Sequence, residues 1–397
     1  VNVTLNARGG DSMLRSTRSN VGRRMAVVYI EKSRQTTEVD GRKVEREYAA
    51  TRAKWERLYE ATQTKGDSET HPFLSPNDEF ANFERWDKAN LDGSVVKTKD
   101  MLEFEYARSA LKLGLKLGKE RGTNPYKFGM VGSSDAHTGL SAMEEDNFFG
   151  KVSSGEPKPE RLGATFMANP KTGVKIMDWE VSASGYAAVW ATENTREAIW
   201  DAMERRETYA TTGPRMAVRF FGGWDFEAAD AATRSPAVAG YTKGVPMGGD
   251  LRKAPSGKAP TFLVAALKDP IGANLDRVQV VKGWLDASGE LQEEVYDVAW
   301  SGDRKPGADG KLPPVGSTVD VANATWTNTI GAPELIAVWK DPDFDPKELA
   351  FYYTRVIEIP TPRWTAYDAQ RFNVQPVPGT MMTVTERAYT SPIWYTP

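Results

Sequence analysis

Tyr126-Lys127-Phe128-Gly129-Met130-Val131-Gly132-Ser133-Ser134-Asp135-Ala136-His137-Thr138 is an apolar run that climbs out of a polar loop and ends in Ser-Asp-Ala-His. Phe128, Met130 and Val131 suit a short buried strand, and Gly132 ends it. Asp135 and His137 stand two apart, and in extended chain residues i and i+2 point the same way. A carboxylate and an imidazole on one face at a strand's end are a natural pair of metal ligands. The other reading is a loop Asp and His that hydrogen-bond each other and the backbone. The chain has 2 histidines, and one of them is here.

Just upstream, residues 101–121 read as a helix, with Tyr106, Ala110, Leu113 and Leu117 at helical spacing. Gly114 and Gly118 allow close packing, and Gly122 with Asn124-Pro125 ends the helix. Helix, loop, buried strand and a site at the strand's carboxyl end suit a β/α barrel or a layered α/β domain. Downstream, Glu144-Glu145-Asp146 reads as a solvated acidic face, with approach to a cation as the other reading. Residues 151–180 read as a long loop, Tyr186 to Trp190 as a strand, and Asn194 to Glu197 as the cap of a helix buried through Ala198, Ile199, Ala202 and Met203. Thr208 to Arg215 reads either as an anion cradle or as a structural turn.

Residues 45–63 read as helical, with Trp55 and Leu58 on one side. Glu69 and His71 repeat the i, i+2 spacing in a loop that reads as an exposed turn closed by Pro72. Ser75 and Pro76 look like a helix start, with Phe80, Phe83 and Trp86 as its core stripe. Residues 1–45 are poorly patterned and arginine-rich. They hold one plausible strand, Met25 to Ile30, and a faint serine-esterase turn at Gly10-Asp11-Ser12-Met13.

From about residue 216 the pattern changes. Strand-like runs recur at 216–221, 260–267, 276–282, 294–300, 334–339 and 351–358, between Gly, Pro and Asp. The chain therefore divides into an α/β portion, 1–215, and a β-rich, sandwich-like portion, 216–397. At 397 residues two domains are the natural expectation. A net charge of −3 provides no basic field for nucleic acid. No apolar run approaches the roughly 18 residues of a membrane span. The absence of cysteine excludes disulfides, thiolate zinc sites and cysteine nucleophiles. The start, Val1-Asn2-Val3-Thr4, reads as processed or as a fragment.

Several phrases recur together. Gln63-x-Lys65-Gly66-x-Ser68-Glu69-x-His71-Pro72, Ser75 to Phe80, Asn124 to His137, Glu145-Asp146-Asn147-Phe148-x-Gly150-Lys151 and Thr208 to Arg215 resemble the bacterial domain-of-unknown-function 3604 family. So do Trp339-x-Asp341-Pro342 and Ile359 to Trp364. That family is similar to the polymerase-and-histidinol-phosphatase (PHP) superfamily of metal-dependent phosphoesterases. The resemblance implies a distorted β/α barrel, here without its N-terminal part, followed by the β-rich portion. It implies a metal-dependent hydrolase of phosphoester or related ester bonds, using zinc, manganese or iron. Asp135 and His137 would be metal ligands, His71 a ligand or proton donor, and Glu69 a weaker ligand candidate. Lys127 or Arg215 would neutralise a small anionic ester substrate. The superfamily's early His-x-His motif is absent, and no histidine precedes His71. A barrel lacking its first strands exposes an edge, which implies cover from a missing N-terminal segment, a partner chain or a second copy in a homo-oligomer. The alternative function is a non-catalytic module, binding a glycan or a partner through its Trp residues.

Overall fold

Alternation along two long strands sets the layering. In the computed structural model, which describes residues 38–39, 42–43 and 46–397, the strand Leu349–Glu358 sends Phe351 and Tyr353 to one face and Ala350, Tyr352 and Val356 to the other. Its neighbour Leu275–Leu285 does the same, with Val281 and Leu285 on the first face and Val278 and Val280 on the second. Period-two side chains buried on both faces make this the central layer of three.

In chain order the elements that matter are α1 (Arg46–Trp55), β1 (Leu58–Gln63), α2 (Ala107–Arg121), β2 (Gly129–Gly132), β3 (Tyr186–Val189), α3 (Arg196–Glu204), β4 (Thr208–Thr211) and β5 (Ala217–Gly223). There follow β6 (Gly244–Pro246), β7 (Asp250–Arg252), β8 (Thr261–Leu267), β9 (Leu275–Leu285), β10 (Leu291–Trp300), β11 (Glu334–Lys340) and β12 (Leu349–Glu358). The last are α4 (Trp364–Phe372), β13 (Arg387–Thr390) and β14 (Ile393–Thr396).

The central sheet runs β7-β14-β12-β13-β4-β3, with β9 also pairing β12 and carrying β10 on its far side. Its strand pairs are antiparallel except β7 with β14. Hydrogen bonds of this one sheet join strands on either side of residue 215. One face packs on the antiparallel sheet β6-β5-β8-β11 through Val218, Phe220, Phe262, Val264 and Leu335. The other face receives α2 through Ala107, Ala110, Leu111, Leu115 and Leu117. α2 ends at Gly122, which adopts φ 77° and donates to Gly118 O, with Lys119 and Arg121 in the last turn. A Cβ on Gly114 would lie 2.3 Å from Asn124 Oδ1, so the small residue is what lets the following turn fold back on the helix.

The distorted β/α barrel is not present. Among the described residues the sheets are separate and none closes. β1, α2 and β2 do form a β-α-β unit, with Leu58, Tyr59 and Glu60 parallel to Gly129, Met130 and Val131. The unit stops there because the free edge of β2 is already satisfied. Met130 N donates to Ser391 Oγ at 3.0 Å, and Thr208 Oγ1 donates to Met130 O at 3.0 Å. A further barrel strand would need those same two backbone groups. The outer edge of β2 is thus covered from within the chain.

Three local expectations also change. The helix expected over 45–63 ends at Trp55, which is 72% exposed, and Leu58–Gln63 is strand β1. No helix starts at Ser75, because the carboxylates that follow are drawn into ion pairs: Asp78 with Arg108 and Arg355, Glu79 with Arg277. The long loop expected over 151–180 contains a hairpin, Thr165–Asn169 with Val174–Met177. The Met25 to Ile30 strand and the Gly10 to Met13 turn lie outside the described residues. Among the described residues no helix is long and apolar enough to cross a membrane.

Candidate functional site

β1 and β2 are parallel, so their carboxyl ends lie side by side, where loops of an α/β unit gather functional groups. The turn after β1 carries Lys65. It is made possible by Gly66 at φ 99°, where a Cβ would meet Glu84 O at 2.2 Å. The chain leaving β2 carries Ser133, Asp135 and His137. Ser133 Oγ bonds the Glu60 carboxylate of β1, and Gly185 N and Ser184 Oγ hold Ser133 O and Ser134 O at 3.3 and 3.2 Å. Asp135 itself adopts φ 49°, an uncommon conformation for a residue with a side chain.

Asp135 and His137 come together, Oδ1 to Nε2 at 3.1 Å, although Asp135 is not in extended chain. Two lysines join them. Lys65 Nζ and Lys151 Nζ both pair with Asp135 Oδ2, and Lys151 Nζ also lies 3.1 Å from His137 Nε2. His137 N donates to Lys151 O at 2.7 Å, which clips the Lys151 loop to the site. His137 Nε2 therefore faces one acceptor and one donor, and its tautomer decides which it bonds. Burial acts to raise the Asp135 carboxyl, but hydrogen bonds from Lys151 and Lys65 outweigh it and hold its pKa below the ordinary value. Burial lowers the Lys151 ammonium, opposed by Asp135 and assisted by Lys65. Two ammoniums meet on the one carboxylate of Asp135 at the mouth of the β1–β2 pair, with the Glu60 carboxylate held nearby on Ser133.

The other sequence candidates lie in separate settings. His71 is buried rather than part of an exposed turn. Its Nδ1 accepts from Phe73 N at 3.0 Å, which places the proton on Nε2, 3.0 Å from Asp87 Oδ2. Glu69 is enclosed by Arg108, Arg355 and the Tyr353 hydroxyl. Lys127 precedes β2, at the opposite end of the strand from Asp135, and pairs with Asp250 of β7. Arg215 Nη2 reaches Glu144 Oε1 at 3.1 Å and the Tyr186 hydroxyl at 3.0 Å on the surface. Among the described residues no three His, Asp or Glu side chains gather as a metal-holding group. Lys65 and Lys151 were not among the candidates. Each stands beside a glycine, Gly66 and Gly150, a residue type that marks turns in a sequence and that here has positive φ.

The residue pattern described as "Protein of unknown function (DUF3604)" matches residues 32–397. The chain belongs to the DUF3604 family. No curated protein and no solved structure matches it. The Asp135, His137 and Lys151 cluster is therefore a feature of a DUF3604 chain, assembled from phrases within the matched span.

Proposed function

We propose that this DUF3604 protein hydrolyses phosphoester or related ester bonds of small anionic substrates at the Asp135–His137 cluster. The observation that supports this reading is the pair of lysine ammoniums on Asp135 at the carboxyl ends of two parallel strands. The two ammoniums attract an anion, and its oxygens accept the lysine hydrogen bonds that the site holds ready. His137 is half-exposed, so a substrate can reach it. With Nε2–H donating to Asp135, its Nδ1 is free to take a proton from an attacking water. An ammonium of Lys151 or Lys65 then faces the charge that develops on the ester oxygen.

Likeness to the PHP superfamily would add a divalent metal, with Asp135 and His137 as two of its ligands. A catalytic zinc takes three protein ligands. The described residues bring no third His, Asp or Glu to this pair, so they do not make a metal centre and no step above runs through one.

Turnover of p-nitrophenyl phosphate and bis(p-nitrophenyl) phosphate, with and without zinc, manganese or iron, tests the proposal. The expected result is nitrophenol release that His137→Ala abolishes and that phosphate inhibits less well in Lys151→Met. Failure to hydrolyse either ester under all these conditions would sink it and leave the non-catalytic binding module as the reading.

A further inference from the structure

A serine and a carboxylate meet between the carboxyl ends of β1 and β2, and the steps at His137 do not involve them. Glu60 lies opposite Val131 where β1 pairs with β2, and it is exposed. Ser133 follows the last residue of β2 and is half-buried, and its Oγ donates to Glu60 Oε1. The other oxygen of that carboxylate, Oε2, accepts from Gln63 Nε2 at 3.0 Å. Gln63 is fixed in turn, because its Oε1 accepts from Lys65 N at 3.3 Å. The amide thus donates through its nitrogen and accepts through its oxygen, and the two bonds agree on which way it points.

The backbone around the serine is held as well. Ser133 N donates to Thr62 O at 3.0 Å, and Ser133 O accepts from Gly185 N at 3.3 Å. The first of these bonds already joins the two strand ends, so the side-chain bond to Glu60 is not needed for that purpose. A hydroxyl bonded to a base, with the base oriented by a third side chain, is the arrangement that activates a serine. Two residues on stands Asp135, which carries the ammoniums of Lys65 and Lys151.

We propose that Ser133 is the covalent nucleophile of the phosphoester hydrolysis, with Glu60 as its general base and Gln63 as the residue that positions Glu60. The proposal rests on reading the Asp135–His137 cluster as a phosphoesterase site. In the first displacement Oγ attacks phosphorus, the Oγ–P bond forms, and the bond to the leaving oxygen breaks. Glu60 takes the Oγ proton, and the leaving oxygen departs with the electron pair. In the second, water attacks the phosphoseryl group and His137 takes its proton. Oγ then leaves phosphorus and recovers its proton from Glu60. The proton on His137 passes to the released alkoxide or to solvent, so ester and water give alcohol and phosphate. The ammoniums of Lys65 and Lys151 hold the phosphoryl oxygens through both displacements.

The test is acid quenching of the full chain during turnover of p-nitrophenyl phosphate, with mass spectrometry of the peptide that contains residue 133. A phosphoryl group on Ser133 is expected. His137→Ala lacks the base of the second displacement, so it should stop after a burst of about one equivalent of nitrophenol and hold the phosphoryl group on Ser133. Ser133→Ala should lose turnover yet still bind inorganic phosphate, and Glu60→Gln should slow turnover by about a hundredfold or more. Trapping in the wild type and in His137→Ala decides the matter if Ser133→Ala does not fold. Wild-type turnover with no phosphoseryl group in either protein, or turnover that Ser133→Ala retains, overturns the serine and leaves a single attack by water as the route. If the wild type hydrolyses no ester, the phosphoesterase reading falls and takes the nucleophile with it.

Discussion

Arg355 Nη1 donates to Glu69 Oε2 across 3.1 Å, although the two residues stand 286 positions apart in the chain. Glu69 also accepts from Arg108 Nε at 3.1 Å, and Asp78 accepts from Arg355 Nη2 at 2.6 Å and Arg108 Nη2 at 2.8 Å. These side chains have almost no solvent exposure. Burial acts to raise the Asp78 carboxyl, but the two guanidiniums outweigh it and hold its pKa well below the ordinary value. The network fastens the loop after β1 to α2 and to the central sheet.

Breaking it from one side should be severe. Arg355→Met leaves Glu69 and Asp78 short of a counter-charge inside the protein, and stability should fall by about 3–5 kcal/mol. Urea unfolding measures this. A loss below about 1 kcal/mol would show that the network adds little beyond its own desolvation cost.

Asp135→Asn should separate binding from turnover. Removing the carboxylate frees Lys65 and Lys151, so phosphate should bind more tightly, by roughly tenfold. Turnover should drop by about a hundredfold or more, since His137 loses the acceptor that orients it. Calorimetry with inorganic phosphate and the nitrophenyl assay read the two effects. Weaker phosphate binding in this variant would mean that the lysines are not the anion's partners.

Asp67 carries a pH signature. Burial, then the charge of Glu69, pushes its carboxyl up to about 7, and its Oδ2 has no hydrogen-bond partner. A carboxyl raised on folding binds its proton in the native state over a range where the unfolded chain has released it. Its contribution to stability is therefore greatest below the unfolded value of about 3.9 and falls as pH rises toward 7. Asp67→Asn mimics the protonated form. It should raise Tm at pH 8, with the gain shrinking as pH falls toward 4. A gain that does not vary with pH would exclude proton linkage as its cause.

Gly66→Ala tests the turn that presents Lys65. The added methyl would meet a backbone carbonyl, which cannot move as the end of a side chain can, and the residue's φ is positive. Stability should fall by more than the about 1 kcal/mol that this exchange gains where the backbone conformation suits alanine, and phosphate affinity should fall with it. Unaltered phosphate binding in a folded variant would remove Lys65 from the site.

Gly129 to Gly132 and Ala107 to Arg121 were legible because their signals are local: a short apolar run ended by glycine, and an apolar stripe at helical spacing ended by Gly122. The strands from Ala217 to Glu358 were legible for the same reason. The nearness of Asp135 and His137 was expected from extended chain, but the chain has left β2 there and Asp135 is at φ 49°, so tertiary contacts rather than strand geometry bring the two together. Leu58 to Gln63 was misread as helix because its strand conformation comes from pairing with residues some seventy positions away, and helix propensity carries no trace of that partner. The barrel failed on facts still more distant in sequence, the hydroxyls of Thr208 and Ser391 occupying the edge of Met130 from 78 and 261 positions away. Lys65 and Lys151 take on their roles only in the folded chain. A charged residue shows its sign in the sequence, but its partner and its burial are properties of tertiary packing.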